Sequence, residues 1–399
     1  MLRSLTRRSV SETGWSRVTA PTMGASAAPG EEARPSAQAR LQEIAQKTGA
    51  LLSLHIEVTS RCSLRCQHCY NDRAVPATLD SKTLARVLEE AAGLGSLFLF
   101  LTGGEVYLHP EFAWVVAQAR ALGFAVVVKT SGWLVGEKEA AFLAAQAVSE
   151  VHVSLYAARP EIHDRMTGVP GSYERVLRAI QALRRDGVRV GVRSLVTSLN
   201  AAHFRDIVRL AEELGCEYSV DATVSPCEDG SLGPCALRPP DATLREFYGE
   251  YAWPQLEKGY RERKPLGTRR PLDDTPCLAG ATSLFVASDG TVYPCVDLKV
   301  PCGNVHTESL TKIWRASEGL RRVRSITWRD LPVCARCDLR DYCSHCMALS
   351  MNEHGDMLGP ALENCRHALI RRDILRERGL VPETETALPP PLAERLGQR

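Results

Sequence analysis

Three cysteines stand close together near the first apolar segment of the chain. Cys62, Cys66 and Cys69 have the spacing Cys-x3-Cys-x2-Cys. Cysteine thiolates are the usual ligands of iron-sulfur clusters, and a 4Fe-4S cluster takes four of them. Three thiolates on one short loop therefore leave one iron open to a small molecule. The alternative is structural zinc, with His55 or His68 as the fourth ligand, because such sites take four protein ligands.

A strand and a glycine turn follow this cysteine loop. The apolar run 96–101 predicts a buried strand, and it ends in Thr102, Gly103, Gly104 and Glu105. Paired glycines let a backbone approach a ligand closely, and a carboxylate can hold an ammonium group. Such a turn is common by itself, so its position one strand after the cysteine loop is what makes it informative.

The cysteine loop and the Gly-Gly-Glu turn together resemble the radical S-adenosylmethionine (SAM) enzymes. The resemblance implies that the three cysteines of the loop hold a 4Fe-4S cluster whose open iron binds SAM. It also implies reductive cleavage of SAM to a 5'-deoxyadenosyl radical that abstracts hydrogen from a substrate. The chain departs from the family at two positions: His68 stands where an aromatic residue is usual, and Val106 where Pro is common.

The same resemblance implies a set of SAM contacts. They are Thr102, Gly103, Gly104, Glu105, Ser131, Ser154 and Arg165. Glu105 matches the family residue that binds the amino group of SAM, and Ser131 lies in a turn that resembles Thr-Asn-Gly. Thr167 stands where many relatives have Arg, so either Arg165 substitutes for that residue or the contact is missing. The ordinary alternatives are a turn residue for Ser131 and a solvated charge for Arg165. The sequence indicates no general acid or base.

The elements that must position these residues alternate between strand and helix through residues 48–225. The predicted strands are 54–58, 96–101, 125–129, 151–155, 188–196 and 217–224, and the predicted helices are 81–94, 110–122, 137–147, 172–186 and 202–214. This alternation indicates an α/β fold with parallel strands, and six strands fit a partial (β/α)6 TIM-like barrel better than a closed one. Ligand sites in such barrels lie at the C-terminal ends of the strands, where the cysteine loop, Glu105, Ser131 and Ser154 fall.

A second cysteine pattern occupies the C-terminal third. Its members are Cys277, Cys295, Cys334, Cys337, Cys343, Cys346 and Cys365. Their order resembles the SPASM domain, an extension of radical SAM enzymes that binds auxiliary 4Fe-4S clusters, although the spacing before Cys346 is x2 instead of x3. The resemblance implies one cluster on Cys334, Cys337, Cys343 and Cys365 and another on Cys277, Cys295 and Cys346.

The second of these sets has only three members. The resemblance leaves either an open iron there or a fourth thiolate from Cys302. Zinc is the alternative for this region as well, because Cys334-x2-Cys337 and Cys343-x2-Cys346 would make a four-thiolate knuckle. That reading leaves Cys365 and the Gly-x4-Cys hairpin before Cys295 unexplained, so we favour a small Cys-rich iron-sulfur domain.

Composition and segment boundaries limit the remaining choices. We expect a disordered tail at 1–40, the radical SAM core at 48–225, a bridge at 226–276, the SPASM domain at 277–370 and a C-terminal tail at 371–399. The 14 clustered cysteines, without a signal peptide or a long apolar run, indicate a reducing cytoplasmic setting and no membrane span. A net charge of +2 indicates no nucleic-acid partner.

The combined features predict a radical enzyme that modifies a ribosomally made peptide or a protein side chain. This step follows family resemblance, since auxiliary clusters most often accompany peptide modification. The expected partners are a peptide or protein substrate, a reductase, ferredoxin or flavodoxin as electron donor, and a separate leader-peptide-binding protein if a leader must be recognised. The alternatives are small-molecule chemistry, such as tetrapyrrole side-chain modification, and a non-enzymatic zinc scaffold.

Overall fold

The computed structural model describes residues 37–71, 76–262 and 271–381. Most of the predicted tail 1–40 lies outside these ranges, and helix α1 begins at Ala37 within it. At the other end, helix α13 continues past the expected boundary at residue 370 and ends at Glu377. Its buried residues Ile374 and Leu375 belong to the folded body, so order extends beyond residue 370.

Six strands and seven helices alternate in the first part of the chain. The strands are β1 Ser53–Thr59, β2 Phe98–Gly103, β3 Ala125–Thr130, β4 Glu150–Ser154, β5 Val190–Leu195 and β6 Glu217–Asp221. The helices are α1 Ala37–Thr48, α2 Ser81–Gly93, α3 Phe112–Ala121, α4 Glu137–Ala145, α5 Pro160–Thr167, α6 Ser172–Arg185 and α7 Phe204–Glu213. The predicted strands and helices are all present, and α1 and α5 are additional helices.

The remaining elements form the bridge and the Cys-rich part. They are α8 Asp241–Glu246, α9 Trp253–Glu262, β7 Ser283–Val286, β8 Thr291–Tyr293, β9 Gly303–Asn304, α10 Leu310–Ala316, α11 Glu318–Ser325, α12 Met347–His354 and α13 Leu362–Glu377. A π-helical turn, Phe247–Tyr251, joins α8 to α9. Short 3-10 helices occupy Val106–Leu108, Ala201–His203, Gly233–Leu237, Trp328–Asp330, Cys334–Arg336 and Arg340–Tyr342.

All nine strands belong to one sheet, in the order β6-β5-β4-β3-β2-β1-β7-β8-β9. The first six are parallel in sequence order, which confirms the partial barrel. Strand β7 pairs in parallel with β1, and the hairpin β7–β8 is antiparallel. The sequence did not predict this continuity, in which the Cys-rich part extends the barrel sheet.

The two faces of the sheet differ because side chains alternate along each strand. In β1, Leu54, Ile56 and Val58 are fully buried in the main apolar core. His55 and Glu57, between them, are half-buried on the opposite face. The apolar face is covered by the outer helices, which leaves the other face, called here the inner face, available for polar side chains. No helix in the described residues is long and apolar enough to cross a membrane.

Candidate functional site

The cysteine loop follows β1 and is held in place by α5. The Arg65 amide donates to the Thr167 carbonyl at 2.8 Å, and the Gln67 amide donates to the Met166 carbonyl at 3.0 Å. Gly168, which ends α5 with φ +69°, lies against the Arg65 backbone. The additional helix α5 thus supports the loop that carries the three thiols.

Those three thiols lie near one tyrosine just beyond the end of β4. Burial raises the pKa of the Tyr156 hydroxyl well above its usual value, and the nearby Cys66, Cys69 and Cys62 thiols raise that pKa further. A hydrogen bond with the Ser154 side chain lowers the pKa of Tyr156. The structure therefore brings Ser154 and all three cysteines of the loop to the same end of the barrel. Three soft thiol donors on one loop, all near Tyr156, suit an iron-sulfur cluster with an open iron.

Two buried histidines pack against Tyr156. The His68 ring meets it edge-on at 4.3 Å, and the His163 ring stacks on it at 5.8 Å between centroids. His163 Nδ1 accepts a hydrogen bond from the Tyr156 amide at 3.2 Å. Burial lowers the pKa of both imidazoles to about 4, so both are neutral at pH 7. His68 thereby fills the aromatic position before Cys69 with an uncharged ring.

Glu105 is a buried carboxylate, 1% exposed, at the C-terminal end of β2. It accepts hydrogen bonds from Thr130 Oγ1 at 2.7 Å, from the Ser131 amide at 3.0 Å and from the Ser131 hydroxyl. The Tyr107 amide donates to it at 3.4 Å. Burial raises the pKa of Glu105, and these donors oppose that rise. The structure thus brings together two sequence-predicted residues, Glu105 and Ser131.

The paired glycines lie against protein backbone, whereas their motif suggests close approach to a ligand. A Cβ on Gly103 would lie 2.5 Å from the Thr59 carbonyl oxygen, and one on Gly104 would lie 2.5 Å from the Ser60 carbonyl oxygen. The Gly104 amide donates to Thr59 O at 2.9 Å. The missing side chains therefore let β2 pack directly against the start of the cysteine loop. Close approach to backbone accounts for both glycines.

Arg165 differs from the other predicted SAM contacts because its side chain is exposed. Its backbone carbonyl accepts a hydrogen bond from Gln67 Nε2 at 2.9 Å, which ties α5 to the cysteine loop. Neighbouring Asp164 accepts from the Gly171 and Tyr173 amides at 2.6 and 2.9 Å and so caps the start of α6. The role of Arg165 in binding SAM stays a prediction.

Four cysteines of the C-terminal part line one small cavity. Cys334 and Cys337 come from one 3-10 turn, Cys343 from the end of the next, and Cys365 from the first turn of α13. Burial raises the pKa of the Cys365 thiol well above its usual value, and the other three thiols raise it further. Four buried thiols around one cavity fit the donor set of a closed iron-sulfur cluster.

Three other cysteines form a second group. Cys277, Cys295 and Cys346 all pack against a small core of the C-terminal part. Burial raises the pKa of the Cys346 thiol to about 11, with further contributions from Asp297 and Cys277. Burial also raises the pKa of the Cys295 thiol, and the same two neighbours, Asp297 and Cys277, raise it further. Cys334 belongs to the same small core, so the division of the seven cysteines into a four and a three stays a prediction.

Cys302 lies apart from that group of three. It is buried in the main core, and its thiol donates to the Val300 carbonyl at 3.3 Å. A Cβ on Gly319 would lie 3.2 Å from the Cys302 sulfur, so helix α11 packs closely over it. This packing favours a core role for Cys302.

Within the described ranges, no three His, Cys, Asp or Glu side chains are arranged to hold a single metal ion.

Sequence reasoning missed a row of residues on the inner face of the sheet. His55 stacks on Phe100 at 4.3 Å, and the Lys129 ammonium lies 5.5 Å from the same ring. Further along, Arg193 Nη2 lies 2.7 Å from His152 Nε2. The signal was present, because each of these residues directly follows an apolar residue in its strand.

Most cations near this row are paired with carboxylates. Arg193 lies 3.1 Å from Glu150, and Lys299 lies 2.8 Å from Glu228. Lys129 has no carboxylate within ion-pair distance among the described residues, and burial lowers its pKa. In the described part of the chain the inner face is therefore mixed in charge. Lys129 has no ion-pair partner there, although Asp297 acts on it from a greater distance.

Two family models match the chain. The radical SAM superfamily matches residues 56–211, and an iron-sulfur cluster-binding domain named SPASM matches residues 277–338. Among curated proteins, an AdoMet-dependent heme synthase from Oleidesulfovibrio alaskensis is 26% identical over 323 residues, which is 75% of this chain and 83% of that protein. A PqqA peptide cyclase from Xanthomonas campestris pv. campestris is 28% identical over 351 residues, which is 82% of this chain and 90% of that protein.

A solved structure is similar in fold. Streptococcus suis SuiB bound to its precursor peptide SuiA superposes with a TM-score of 0.62 at 17% identity, covering 84% of this chain and 83% of SuiB. Both family matches coincide with the two parts described above, the barrel with its cysteine loop and the Cys-rich extension of its sheet. The chain therefore belongs to the radical SAM superfamily and carries a SPASM domain.

Proposed function

We propose that this protein modifies a side chain of a ribosomally made peptide or of a protein, using a radical generated from SAM. In this proposal, Cys62, Cys66 and Cys69 hold a 4Fe-4S cluster. When bound, that cluster supplies the electron that breaks a carbon-sulfur bond of SAM. The proposed SAM contacts remain Thr102, Gly103, Gly104, Glu105, Ser131, Ser154 and Arg165.

Glu105 has the clearest task among these residues. Its hydrogen bonds from Thr130, Ser131 and Tyr107 favour the ionised carboxylate, although burial opposes ionisation. A carboxylate held in this way can accept the charged amino group of SAM, and a charge-assisted hydrogen bond is strongest where water is excluded. The donors thus orient Glu105 before SAM arrives.

Two auxiliary clusters complete the proposed cofactor set. Cys334, Cys337, Cys343 and Cys365 would hold one, and Cys277, Cys295 and Cys346 the other. The partners would be a peptide or protein substrate, an electron donor, and a separate leader-binding protein where the substrate has a leader. We place the enzyme in the cytoplasm, where thiols stay reduced.

The observation that supports a peptide substrate is that two cations near the inner face are already paired with carboxylates. Arg193 is committed to Glu150 and Lys299 to Glu228. A substrate with several carboxylates would need several uncommitted cations, because a buried anion without a partner is costly. A peptide, which offers amides and mixed charges, suits such a face better. The relationship to a peptide cyclase supports the same assignment.

A tetrapyrrole substrate is the second candidate. It is favoured by the AdoMet-dependent heme synthase relatives and by Lys129, whose ammonium can hold one carboxylate. The two candidates differ in what must be bound, since a tetrapyrrole with propionate groups needs more cations than the described inner face leaves free.

Turnover with defined substrates separates the two. The protein would be reconstituted anaerobically with iron and sulfide and given SAM and dithionite. One arm would add synthetic peptides encoded by short reading frames beside the gene, and the other an iron tetrapyrrole carrying propionates. We expect a mass change in a peptide together with 5'-deoxyadenosine. Modification of the tetrapyrrole alone would contradict the peptide assignment.

The cysteine assignment has its own test. Replacing Cys62, Cys66 and Cys69 with Ala should abolish 5'-deoxyadenosine formation while about eight iron atoms remain on the other cysteines. The matched control replaces Cys216, a buried core thiol outside both groups, with Ala. Continued SAM cleavage by the triple variant would remove the basis of the proposed function.

A further inference from the structure

Three arginines surround the exposed surface of the cysteine loop. Arg61 and Arg65 directly precede Cys62 and Cys66, and Arg165 comes from the last turn of α5. All three side chains are exposed, whereas the thiols beside them are half-buried. We call Arg61, Arg65 and Arg165 the arginine collar.

The contacts between the loop and α5 place the collar in one region. Arg65 is bonded through its amide to the carbonyl of Thr167, two residues from Arg165. Gln67, two residues from Arg65, is bonded to the Arg165 carbonyl. At the other end of the loop, the Arg61 carbonyl accepts from the Glu105 amide at 2.8 Å. The backbone that carries the collar is therefore pinned on both sides of the cysteines.

The charge of the collar is not neutralised by the described residues around it. None of its three guanidinium groups has a carboxylate within 4.0 Å in the described part of the chain. Asp164 is the nearest acid in sequence to Arg165, and it is already engaged in capping α6. Glu161 is exposed one turn before Arg165. Among the described residues, the loop surface thus carries an excess of positive charge.

We propose that the arginine collar is the docking surface for an acidic electron-transfer protein of the flavodoxin or ferredoxin type. This inference rests on the proposed function, which requires one electron for each SAM that is cleaved. The reduced donor loses that electron, and the centre on the cysteine loop gains it. Docking at the collar brings the donor to the loop that holds the thiols, and electron transfer slows steeply with distance.

Opposite charge explains how such a donor would find this loop. Complementary charges steer association and raise its rate by about 10- to 1,000-fold at low salt. Exposed pairs of this kind are screened as ionic strength rises. Exposed, unpaired arginines beside the thiols are therefore suited to a transient partner that must bind, deliver an electron and leave.

The test compares two reductants on the same holoenzyme. Arg61→Glu/Arg65→Glu would be assayed for 5'-deoxyadenosine with reduced flavodoxin and, separately, with dithionite. Arg165 stays unchanged, because it is also a proposed SAM contact. We expect kcat/KM for flavodoxin to fall at least about 10-fold, chiefly through KM, while the dithionite rate is preserved. The control is Arg321→Glu/Arg322→Glu, two exposed arginines on or beside the last turn of α11.

Several outcomes would overturn the proposal. Equal flavodoxin kinetics for the variant and the wild type would do so, as would an equal loss in the α11 control. A changed midpoint potential of the loop cluster, measured by EPR, together with lower kcat and unchanged KM would assign the effect to potential instead of docking. Failure of the wild type with dithionite would count against the proposed function itself.

A second measurement needs no variant. The wild-type kcat/KM for reduced flavodoxin should fall as salt is raised from 50 to about 300 mM, whereas the dithionite rate should change little. If the double reversal damages the cluster, Arg61→Gln/Arg65→Gln should show a weaker salt dependence than the wild type. A flavodoxin rate independent of salt would contradict docking by charge.

Discussion

Glu105 is a buried carboxylate with several hydrogen-bond donors, and we propose that it binds the amino group of SAM. Its carboxylate has donors from Thr130, Ser131 and Tyr107, and it is almost inaccessible to solvent. A buried charge is costly unless it is hydrogen-bonded or paired. The existing donors meet part of that requirement, and in our proposal the ammonium of SAM would meet the rest.

Replacing Glu105 with Gln tests this role. The amide keeps the size of the side chain and removes its charge, so we expect the Kd for SAM to rise roughly 10- to 100-fold, as for loss of a hydrogen bond to a charged group. Equilibrium binding of SAM to the reconstituted protein measures it. The control is Glu111→Gln at an exposed position. Unchanged SAM binding would exclude Glu105 as a contact.

His163 makes stability depend on pH. Its folded-state pKa is about 4 because burial disfavours the charged ring, whereas the ordinary value is 6.5. The unfolded chain therefore takes up the proton first. The free energy of unfolding should be fully retained above pH 6.5 and fall as the pH drops towards 4, by on the order of 3 kcal/mol in total.

Urea unfolding of the wild type and His163→Phe at pH 7 and pH 5 checks this prediction. Phe preserves ring packing on Tyr156 and cannot titrate, so the loss of stability between the two pH values should be smaller in the variant. His306→Phe, at an exposed histidine, serves as the comparison. An identical pH dependence in wild type and His163→Phe would show that His163 does not control it.

At the scale of elements, β2 and the cysteine loop act as one unit. Gly104 lies so close to the Ser60 and Arg61 backbone that a side chain has no room, and backbone atoms cannot turn aside as a flexible side chain can. The same contact includes the Glu105 amide bonded to the Arg61 carbonyl. The position of the thiols is thus linked directly to the end of β2.

Gly104→Ala should separate these two elements. We expect a loss of about 1–3 kcal/mol in the free energy of unfolding, the usual cost of overpacking, and a lower iron content on the cysteine loop. Chemical unfolding and iron counting measure the two effects. Gly93→Ala, where an added Cβ meets nothing within 4 Å, is the control. Wild-type stability and iron content would contradict this account of the glycines.

The sequence predicted the elements and cysteine groups more readily than the contacts between them. Cysteine spacing and strand–helix alternation are local signals, and both survive in a single sequence. Helix α5 was missed because it is short and starts at Pro160, so its apolar periodicity is brief. The pairing of Glu105 with Ser131 was not predictable, since it joins the ends of two strands. The inner-face residues needed the sheet register.

At the scale of the whole molecule, the SPASM part is continuous with the barrel. Strand β7 pairs with β1 over Ser53–Ile56 and Ser283–Val286. Glu57 also accepts hydrogen bonds from the Ser288 amide and hydroxyl at 3.0 and 2.7 Å. Without β7, one side of β1 would be an unpaired strand edge, and such edges promote aggregation.

A chain that ends at residue 276 tests this dependence. We expect it to aggregate or to be mostly insoluble, because β1 loses its partner and the main core loses Leu284, Val286 and Val292. Size-exclusion chromatography and circular dichroism measure the result. A chain that ends at residue 381, after α13, should remain monodisperse. A monodisperse, folded 1–276 fragment would show that the barrel is independent of the SPASM part.

The β1–β7 pairing also imposes an order on protein synthesis. Ser53 leaves the ribosome 230 residues before Ser283, its partner across the sheet. At about 5–20 residues per second, β1 waits roughly 10 to 50 seconds for β7. During that interval the cysteine loop is already translated while its sheet is unfinished. The nascent chain is thus open to chaperones, and to premature oxidation of its thiols, until the last third has been made.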